Sequence, residues 1–179
     1  MNEDRLQALT ERSLALGFEA VTPLDPQTLA PKPSVREMCA ENRCGAYGKN
    51  WTCPPAVGTL EECAERLHRY ESGLLLQTVG QLRRSIDTRK MAEAESLHAE
   101  RLTRLAEDAR STVSDFLLLG AGGCRLCQTC AYPEPCRFPA KAIIPMEGCG
   151  LFVTEVCRAC GAAYHHGDKT VTFTGCILF

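Results

Sequence analysis

The distribution of cysteine constrains this chain more than any other feature of its sequence. Twelve of the 179 residues are cysteines; four lie within 39–63, eight lie within 124–176, and none lies between. A secreted disulfide scaffold is normally shorter and begins with a signal peptide, whereas the start of this chain, MNEDRLQALTERS, is charged and amphipathic. We therefore expect a cytoplasmic protein whose grouped cysteines form metal or redox sites.

The second cysteine group, CRLCQTCAYPEPCRFP, occupies residues 124–139. Its first three thiols lie three residues apart, at Cys124, Cys127 and Cys130, and a fourth follows at Cys136. Thiols at this spacing in a loop can surround one compact cluster, as in the cysteine run of bacterial ferredoxins. Structural zinc more often uses two separated C-x2-C pairs. The spacing favours a [4Fe-4S] cluster, with Zn as the alternative and reduced or adventitiously paired thiols as the remaining interpretation.

The end of this group departs from the ferredoxin run. The gap before Cys136 is five residues rather than three, and Pro139 lies three positions after that cysteine rather than beside it. In two-cluster ferredoxins the fourth cysteine of a run ligates the other cluster. Cys136 can therefore complete this site or reach a second one, so the chain is expected to hold one or two clusters.

The first cysteine group supplies three more thiols, at Cys39, Cys44 and Cys53. Segment 39–58 is predicted to be a loop because it is rich in Gly, Asn and Pro. Three thiols need a fourth ligand or leave one metal position open to substrate; a structural zinc loop and plain buried cysteines remain alternatives. Candidates for the fourth ligand are a histidine or one of the cysteines Cys63, Cys136, Cys149, Cys157, Cys160 and Cys176.

Cysteines outside the two groups are expected mainly in the core. Cys157 and Cys160 form a C-x-x-C pair on a predicted helix, without the βαβ context of a redox dithiol, so one member is expected to be a ligand or a core residue. Cys63 and Cys176 lie on apolar faces that favour packing. His98 lies on the apolar face of a long predicted helix and is expected to be a core or boundary histidine whose hydrogen bonds are satisfied.

Other residues near the two groups carry weaker expectations. Adjacent His165 and His166 would point to opposite faces of a strand, so at most one is a ligand or proton donor. His68 is expected to be solvated. Tyr47 and Trp51 lie within the first group, between Cys44 and Cys53, and are expected to screen a cluster from water.

Hydrophobic periodicity predicts helices and strands around the cysteine groups. Thr59 and Glu62 form a capping box that starts one helix. Helices are predicted over 4–16, 60–71, 87–113 and 150–161, and strands over 18–24, 73–79, 115–121 and 169–179. We expect an α/β fold, with α+β possible: a compact sandwich of a small sheet and helices. We expect one domain, 1–179, with an N-terminal helix and connection over 1–38 and cysteine loops over 39–58 and 124–139.

Charge and apolar runs limit the classes of partner. The formal net charge is -2, so no basic excess indicates nucleic acid. Apolar runs such as GLLLQTVG are too short to span a membrane. The GAGG stretch at 120–123 lacks the complete nucleotide-binding pattern and precedes a cysteine rather than a helix. We expect neither a nucleic-acid nor a membrane partner.

Three quoted segments resemble the DUF2284 family of predicted metal-binding proteins. They are YGKNWTCPPAVGTLEEC, GAGGCRLCQTCAYPEPCRFPAKA and HGDKTVTFTGCILF, and the resemblance extends from about Cys39 to the end. It implies metal ligands at Cys39, Cys44, Cys53, Cys124, Cys127, Cys130 and Cys136. It implies no reaction.

Three functional hypotheses follow. The first is a small redox protein that passes single electrons from one or two clusters to an unidentified partner protein. The second is a cluster-dependent enzyme, a reductase or sulfur-handling enzyme, whose iron has an open position. The third is a zinc-stabilised interaction module, whose fold would collapse with chelator.

Overall fold

The fold is mixed α/β, with five helices and a five-stranded sheet in the part of the chain that the structure describes. This computed structural model describes residues 2–179. The helices are α1 (Asn2–Ala15), α2 (Pro33–Ala40), α3 (Leu60–His68), α4 (Thr88–Thr112) and α5 (Val153–Ala159). The strands are β1 (Ala20–Leu24), β2 (Gly73–Gln81), β3 (Leu117–Gly120), β4 (Ile144–Pro145) and β5 (Thr170–Leu178). Short 3-10 helices cover Pro26–Thr28 and Glu147–Cys149.

The sheet has the order β1-β2-β5-β3-β4. The pairs β1–β2, β2–β5 and β5–β3 are antiparallel, and only β3 and β4 run parallel. The long central pair sets Leu76 opposite Gly175, and β3 sets Leu119 opposite Cys176. In this order β3 lies beside the central strand, β5. The second cysteine group follows the end of β3, so it begins near the centre of the sheet.

Helices cover both faces of the sheet, which explains why β2 is apolar on both sides. Successive side chains of a strand point to opposite faces. On one face, α1 and α4 pack on a core that includes Leu9, Leu74, Leu76, Leu102, Leu105 and Ile177. On the other face, α3 and α5 pack on a core that includes Leu67, Leu75, Leu119, Met146, Leu151 and Cys176.

The predicted elements are confirmed to within a few residues at their ends, with two exceptions. The 39–58 segment is not wholly a loop, since Cys39 lies in the last turn of α2. Pro33 starts that helix at a position where a proline is favoured, and Val35 anchors it in the interior. The short strand β4 was not expected because two residues carry no periodicity.

The capping box is confirmed as predicted. The Thr59 hydroxyl accepts a hydrogen bond from the Glu62 backbone N–H at 3.1 Å, and the Glu62 carboxylate accepts one from the Thr59 N–H at 2.7 Å. Gly58 precedes this cap at φ +107, and a Cβ atom there would lie 2.6 Å from Glu62 Oε2. The first cysteine segment therefore ends in a fixed turn into α3. Among residues 2–179 no helix is long and apolar enough to cross a membrane.

Candidate metal centre

Hydrogen bonds hold the two cysteine loops together. Segments 41–59 and 121–143 contain turns and bends but no helix and no strand. Asn50 Nδ2 donates to the Cys124 carbonyl at 3.0 Å, and the Cys124 N–H donates to Thr52 Oγ1 at 3.2 Å. Asn50 and Thr52 are both buried. The two loops are therefore fixed to each other at the first cysteine of the second group.

Trp51 makes a second connection between the loops. Its indole N–H donates to the Glu134 carbonyl at 2.8 Å. Its ring meets the Tyr132 ring edge-on, with the centroids 5.1 Å apart. Trp51 lines the cavity of the second group, and Tyr47 lines that of the first. Both aromatic residues therefore lie where they can limit access of water to the thiols.

All four thiol residues of the second group line one small cavity. Cys124, Cys127, Cys130 and Cys136 surround a space of about 20 Å³. That space has room for about one water-sized atom. The space is smaller than an iron–sulfur cluster, so binding a cluster there requires the loop to open.

The three thiol residues of the first group line a roomier cavity of about 230 Å³. Glu147 and Gly148 form part of its wall, and the Cys39 thiol lies 3.8 Å from the Glu147 carbonyl oxygen. Arg36 fixes α2 at this cavity by donating to the Gly58 carbonyl at 2.7 Å and to the Gly148 carbonyl at 3.2 Å.

The two cavities adjoin each other across the glycine segment that follows β3. Gly122 and Gly123 line the first cavity, and the next residue, Cys124, lines the second. A Cβ atom at Gly123 would lie 3.5 Å from the Cys53 sulfur. Cys124 is therefore the cysteine of the second group that directly follows the residues lining the first cavity.

Electrostatics also shows that the thiols are neighbours. Burial raises the pKa of Cys53 to about 11, with the thiols of Cys44, Cys39 and Cys124 adding to the shift. Burial likewise raises the pKa of Cys124, and the remaining thiols of its group reinforce the effect. Grouped thiolates repel each other, so a cation among them would stabilise the charged form.

Cys130 behaves differently from the other thiols. Burial raises its pKa, but hydrogen bonds from the backbone N–H groups of Tyr132, Trp51 and Ala131 outweigh this and lower the pKa overall. Backbone N–H groups directed at a cysteine sulfur stabilise the thiolate that binds metal. The Ala131 and Tyr132 donors belong to the same loop as Cys130, whereas the Trp51 donor belongs to the first loop.

The donor chemistry fits a thiophilic metal, although the side chains do not form a closed coordination shell. Thiolates suit iron–sulfur clusters and zinc. Within residues 2–179, no group of three or more His, Cys, Asp and Glu side chains is arranged to hold a metal ion. The seven predicted ligands therefore share two cavities without yet converging on a point in either.

The other cysteines lie away from both cavities. Cys63, Cys149, Cys157 and Cys176 are buried in the core beneath α3 and α5, and Cys160 packs against it. The expectation of core packing for Cys63 and Cys176 is confirmed, since each is 0% exposed. None of these five residues lines the first cavity, so the structure offers none of them as its fourth ligand.

Histidines do not complete the first site either. His68 Nε2 lies 2.8 Å from the Leu29 carbonyl oxygen, and His166 Nε2 lies 3.1 Å from Gln77 Oε1. His165 is exposed, and His98 is buried as expected. Among the described residues, no histidine lines either thiol cavity.

Sequence reasoning missed the polar residues that position the thiols. Asn50 and Thr52 bind Cys124, and Glu147 borders the first cavity from a distant segment. The only signal in the sequence was that two polar residues, Asn50 and Thr52, lie directly before Cys53. Short polar residues in a loop have many possible partners, so their contact with residue 124 was not predictable.

Comparison with protein families identifies the chain. The DUF2284 family, described as predicted metal-binding proteins, matches residues 22–179. The chain therefore belongs to the DUF2284 family. No curated protein and no solved structure matches it.

Proposed function

We propose that this protein binds one or two [4Fe-4S] clusters and transfers single electrons to a redox partner protein. The observation that carries this proposal is that seven cysteines line two adjoining cavities. A cluster, when bound, accepts and releases one electron at a time. Two neighbouring sites suit this role because electrons move readily over short distances.

The four-thiol cavity is the better candidate for a complete site. Cys124, Cys127, Cys130 and Cys136 supply the four thiolates that a cluster requires. The backbone N–H groups at Cys130 would stabilise negative charge on that sulfur. Because segment 121–143 has no helix or strand, it can widen around a cluster without disrupting the sheet.

The three-thiol cavity favours a second candidate function, that of an enzyme with an open metal position. Cys39, Cys44 and Cys53 supply three thiolates, and no other cysteine except the adjacent Cys124 is near them. Its volume of about 230 Å³ leaves room beyond the ligands. A metal held there by three thiolates would keep one position for substrate.

The experiment that tests both functions is metal analysis of protein purified without oxygen. We would measure iron, acid-labile sulfide and zinc per chain, together with the visible spectrum. About eight iron and eight sulfide would support two clusters, and about four would support one. Zinc without sulfide, even after anaerobic reconstitution, would contradict the proposal and favour an interaction module stabilised by zinc.

Single substitutions assign each cluster to its loop. Cys127→Ser should lower the iron bound at the second cavity, and Cys53→Ser should lower that at the first. Cys160→Ser is the matched control, because the Cys160 thiol donates to the Val156 carbonyl at 2.9 Å and a serine hydroxyl can do the same. Equal losses of iron in the control and in the other variants would argue against the assignment.

Spectroscopy separates the electron carrier from the enzyme. An electron carrier should show reversible one-electron reduction and a spectrum that is insensitive to added cyanide. An open position at the first cavity should make the spectrum respond to cyanide, and Cys53→Ser should remove that response while leaving the signal of the second cavity.

A further inference from the structure

Two cysteines that lie outside the thiol cavities meet in the core. Cys63 in α3 and Cys149 in the 3-10 helix Glu147–Cys149 are both fully buried. Their thiols are hydrogen-bonded to each other. Because neither residue lines a thiol cavity, metal binding does not account for this contact.

Arg36 brings a positive charge to this pair without a carboxylate partner. Its Nη2 lies 3.9 Å from the Cys63 sulfur, and its other hydrogen bonds go to the Gly58 and Gly148 carbonyls. Its Nε is buried and has no hydrogen-bond partner among the described residues. The guanidinium makes no ion pair with a described carboxylate. A buried charge is costly unless an opposite charge accompanies it.

We propose that Cys63 is held as a thiolate by an ion pair with Arg36, and that this pair fixes α2, which carries Cys39, at the first thiol cavity. Cys149 completes the arrangement by donating its S–H to the thiolate. Cys63 is therefore a positioning residue and not a metal ligand. The inference rests on the proposed function only because Cys39 is there taken to be a ligand.

A second arginine adds positive charge at Cys63. Arg66 follows Cys63 by three residues in α3, a spacing that places both side chains on one face of the helix. Arg66 Nη2 donates to the Val57 carbonyl at 3.3 Å. Like Arg36, it makes no ion pair with a described carboxylate. Two guanidinium groups without paired carboxylates therefore act on one thiol.

The electrostatics of the two thiols agree with this assignment. The hydrogen bond from Cys149 lowers the pKa of Cys63 from 9.0 to about 6 against the opposing effect of burial, and the charges of Arg66 and Arg36 contribute to the shift. The same hydrogen bond and burial raise the pKa of Cys149, which keeps that thiol protonated. Because Arg36 donates to the sulfur of Cys63, this member of the pair carries the negative charge.

Other titratable groups surround the pair at greater remove. Those nearest to it on the packed elements are Cys39 in α2, Glu61 in α3, Glu147 in the 3-10 helix, Cys157 in α5 and Cys176 in β5. Cys176 raises the pKa of Cys149 rather than that of Cys63. The hydrogen-bond partners of the Cys63 sulfur are Cys149 and Arg36, so these two residues dominate its ionisation together with Arg66.

The ion pair joins α2 to the wall of the first thiol cavity. Arg36 lies three residues before Cys39 in α2, and it contacts both Cys63 in α3 and Gly148, which lines the cavity. This helix has only eight residues and no side-chain hydrogen bond at its N-cap. A helix this short depends on tertiary contacts. Loss of the charge on Cys63 should therefore loosen the segment that carries Cys39.

The first measurement counts thiolates in full-length, reduced, metal-free protein by their ultraviolet absorbance. At about pH 7.5, between the folded and ordinary pKa values, native protein should carry about one more thiolate per chain than Cys63→Ser. Serine keeps the hydrogen-bonding capacity of the thiol but does not ionise. Cys176→Ser is the matched control, because Cys176 is equally buried and its pKa is raised to about 12. It should leave the count unchanged.

The second measurement follows amide hydrogen exchange in α2 with the same metal-free protein. The amides of Pro33–Ala40 should exchange about ten-fold faster in Cys63→Ser than in native protein, as expected for a hydrogen bond to a charged group. Cys176→Ser should exchange like native protein. Below about pH 6 the difference should disappear, because native Cys63 is then protonated as well.

Arg36→Met keeps the test decisive where Cys63→Ser does not fold. Without the guanidinium, Cys63 should ionise at a higher pH. The double variant, Arg36→Met with Cys63→Ser, isolates this ionisation by difference. It should exchange α2 amides no faster than Arg36→Met alone, because both replacements remove the same ion pair.

Three results would overturn the proposal. They are a thiolate count at about pH 7.5 that is equal in native protein and Cys63→Ser, equal exchange of α2 in these two proteins, and an unchanged ionisation of Cys63 in Arg36→Met. Because both measurements use metal-free protein, their outcome is independent of the iron and sulfide analysis that tests the proposed function.

Discussion

Cys124 is the residue at which the two cysteine loops meet. Its backbone is held by Asn50 and Thr52, and its thiol adds to the raised pKa of Cys53. Its side chain also lines the four-thiol cavity. The position of this thiol makes it the described cysteine best placed to serve either site, as the fourth ligand does in two-cluster ferredoxins.

This position leads to a prediction for Cys124→Ser. We expect the variant to lose metal from both cavities, whereas Cys127→Ser should lose metal from the second alone. Iron and sulfide content after anaerobic reconstitution measures the difference. If Cys124→Ser and Cys127→Ser retain equal amounts, the thiol of Cys124 does not contribute to the first site.

His98 gives a prediction about pH. Burial, reinforced by the Arg101 guanidinium, lowers its pKa from an ordinary value of 6.5 to about 4. The unfolded chain therefore takes up a proton at a higher pH than the folded chain. Stability contributed by the neutral form is present above pH 6.5 and is lost as the pH falls towards 4.

We expect the free energy of unfolding of the native protein to fall between these pH values more steeply than that of His98→Gln. The difference in slope should approach about 1.4 kcal/mol per pH unit, the value for one proton. Denaturant unfolding at several pH values measures both slopes. Parallel curves for the two proteins would show that His98 does not titrate as its burial requires.

At the scale of elements, the cysteine loops depend on contacts with each other more than on local structure. Segments 41–59 and 121–143 have no strand, whereas the elements on either side are regular. Trp51 supplies one of the few connections, through its hydrogen bond to the Glu134 carbonyl at 2.8 Å and its contact with Tyr132.

Replacement of this indole should therefore loosen the second loop. Trp51→Phe keeps an aromatic ring but removes the N–H donor, and we expect bound metal to pass to a chelator about five-fold faster. Tyr164→Phe, which changes an exposed aromatic residue outside both cavities, is the control. An unchanged rate of metal release in Trp51→Phe would show that this connection does not hold the site.

At the scale of the whole molecule, the folded core and the candidate metal centre are separate. None of the seven predicted ligands belongs to either hydrophobic core, although four other cysteines belong to one. The cores instead join the sheet to α1 and α4 on one face and to α3 and α5 on the other.

We therefore expect removal of metal to leave the sheet and helices folded. After anaerobic treatment with chelator, far-UV circular dichroism should change little, whereas limited proteolysis should begin to cut within 41–59 and 121–143. Cooperative loss of the circular dichroism signal would instead support the zinc-stabilised module, in which the metal holds the fold together.

Local signals in the sequence are enough to predict the regular elements and the grouping of the thiols. Helical and strand periodicity, and the capping box of Thr59 and Glu62, are local signals between residues a few positions apart. Family membership likewise followed from short motifs. These features fixed the mixed α/β class and the expectation of metal binding.

Contacts between residues far apart in the sequence become visible only in the folded structure. Contacts of Asn50 and Thr52 with Cys124 join segments more than seventy residues apart. The same is true of the burial of Cys63 beside Cys149. Such contacts depend on strand order and helix packing, which no local pattern encodes, because side chains in loops acquire partners only when the sheet has formed.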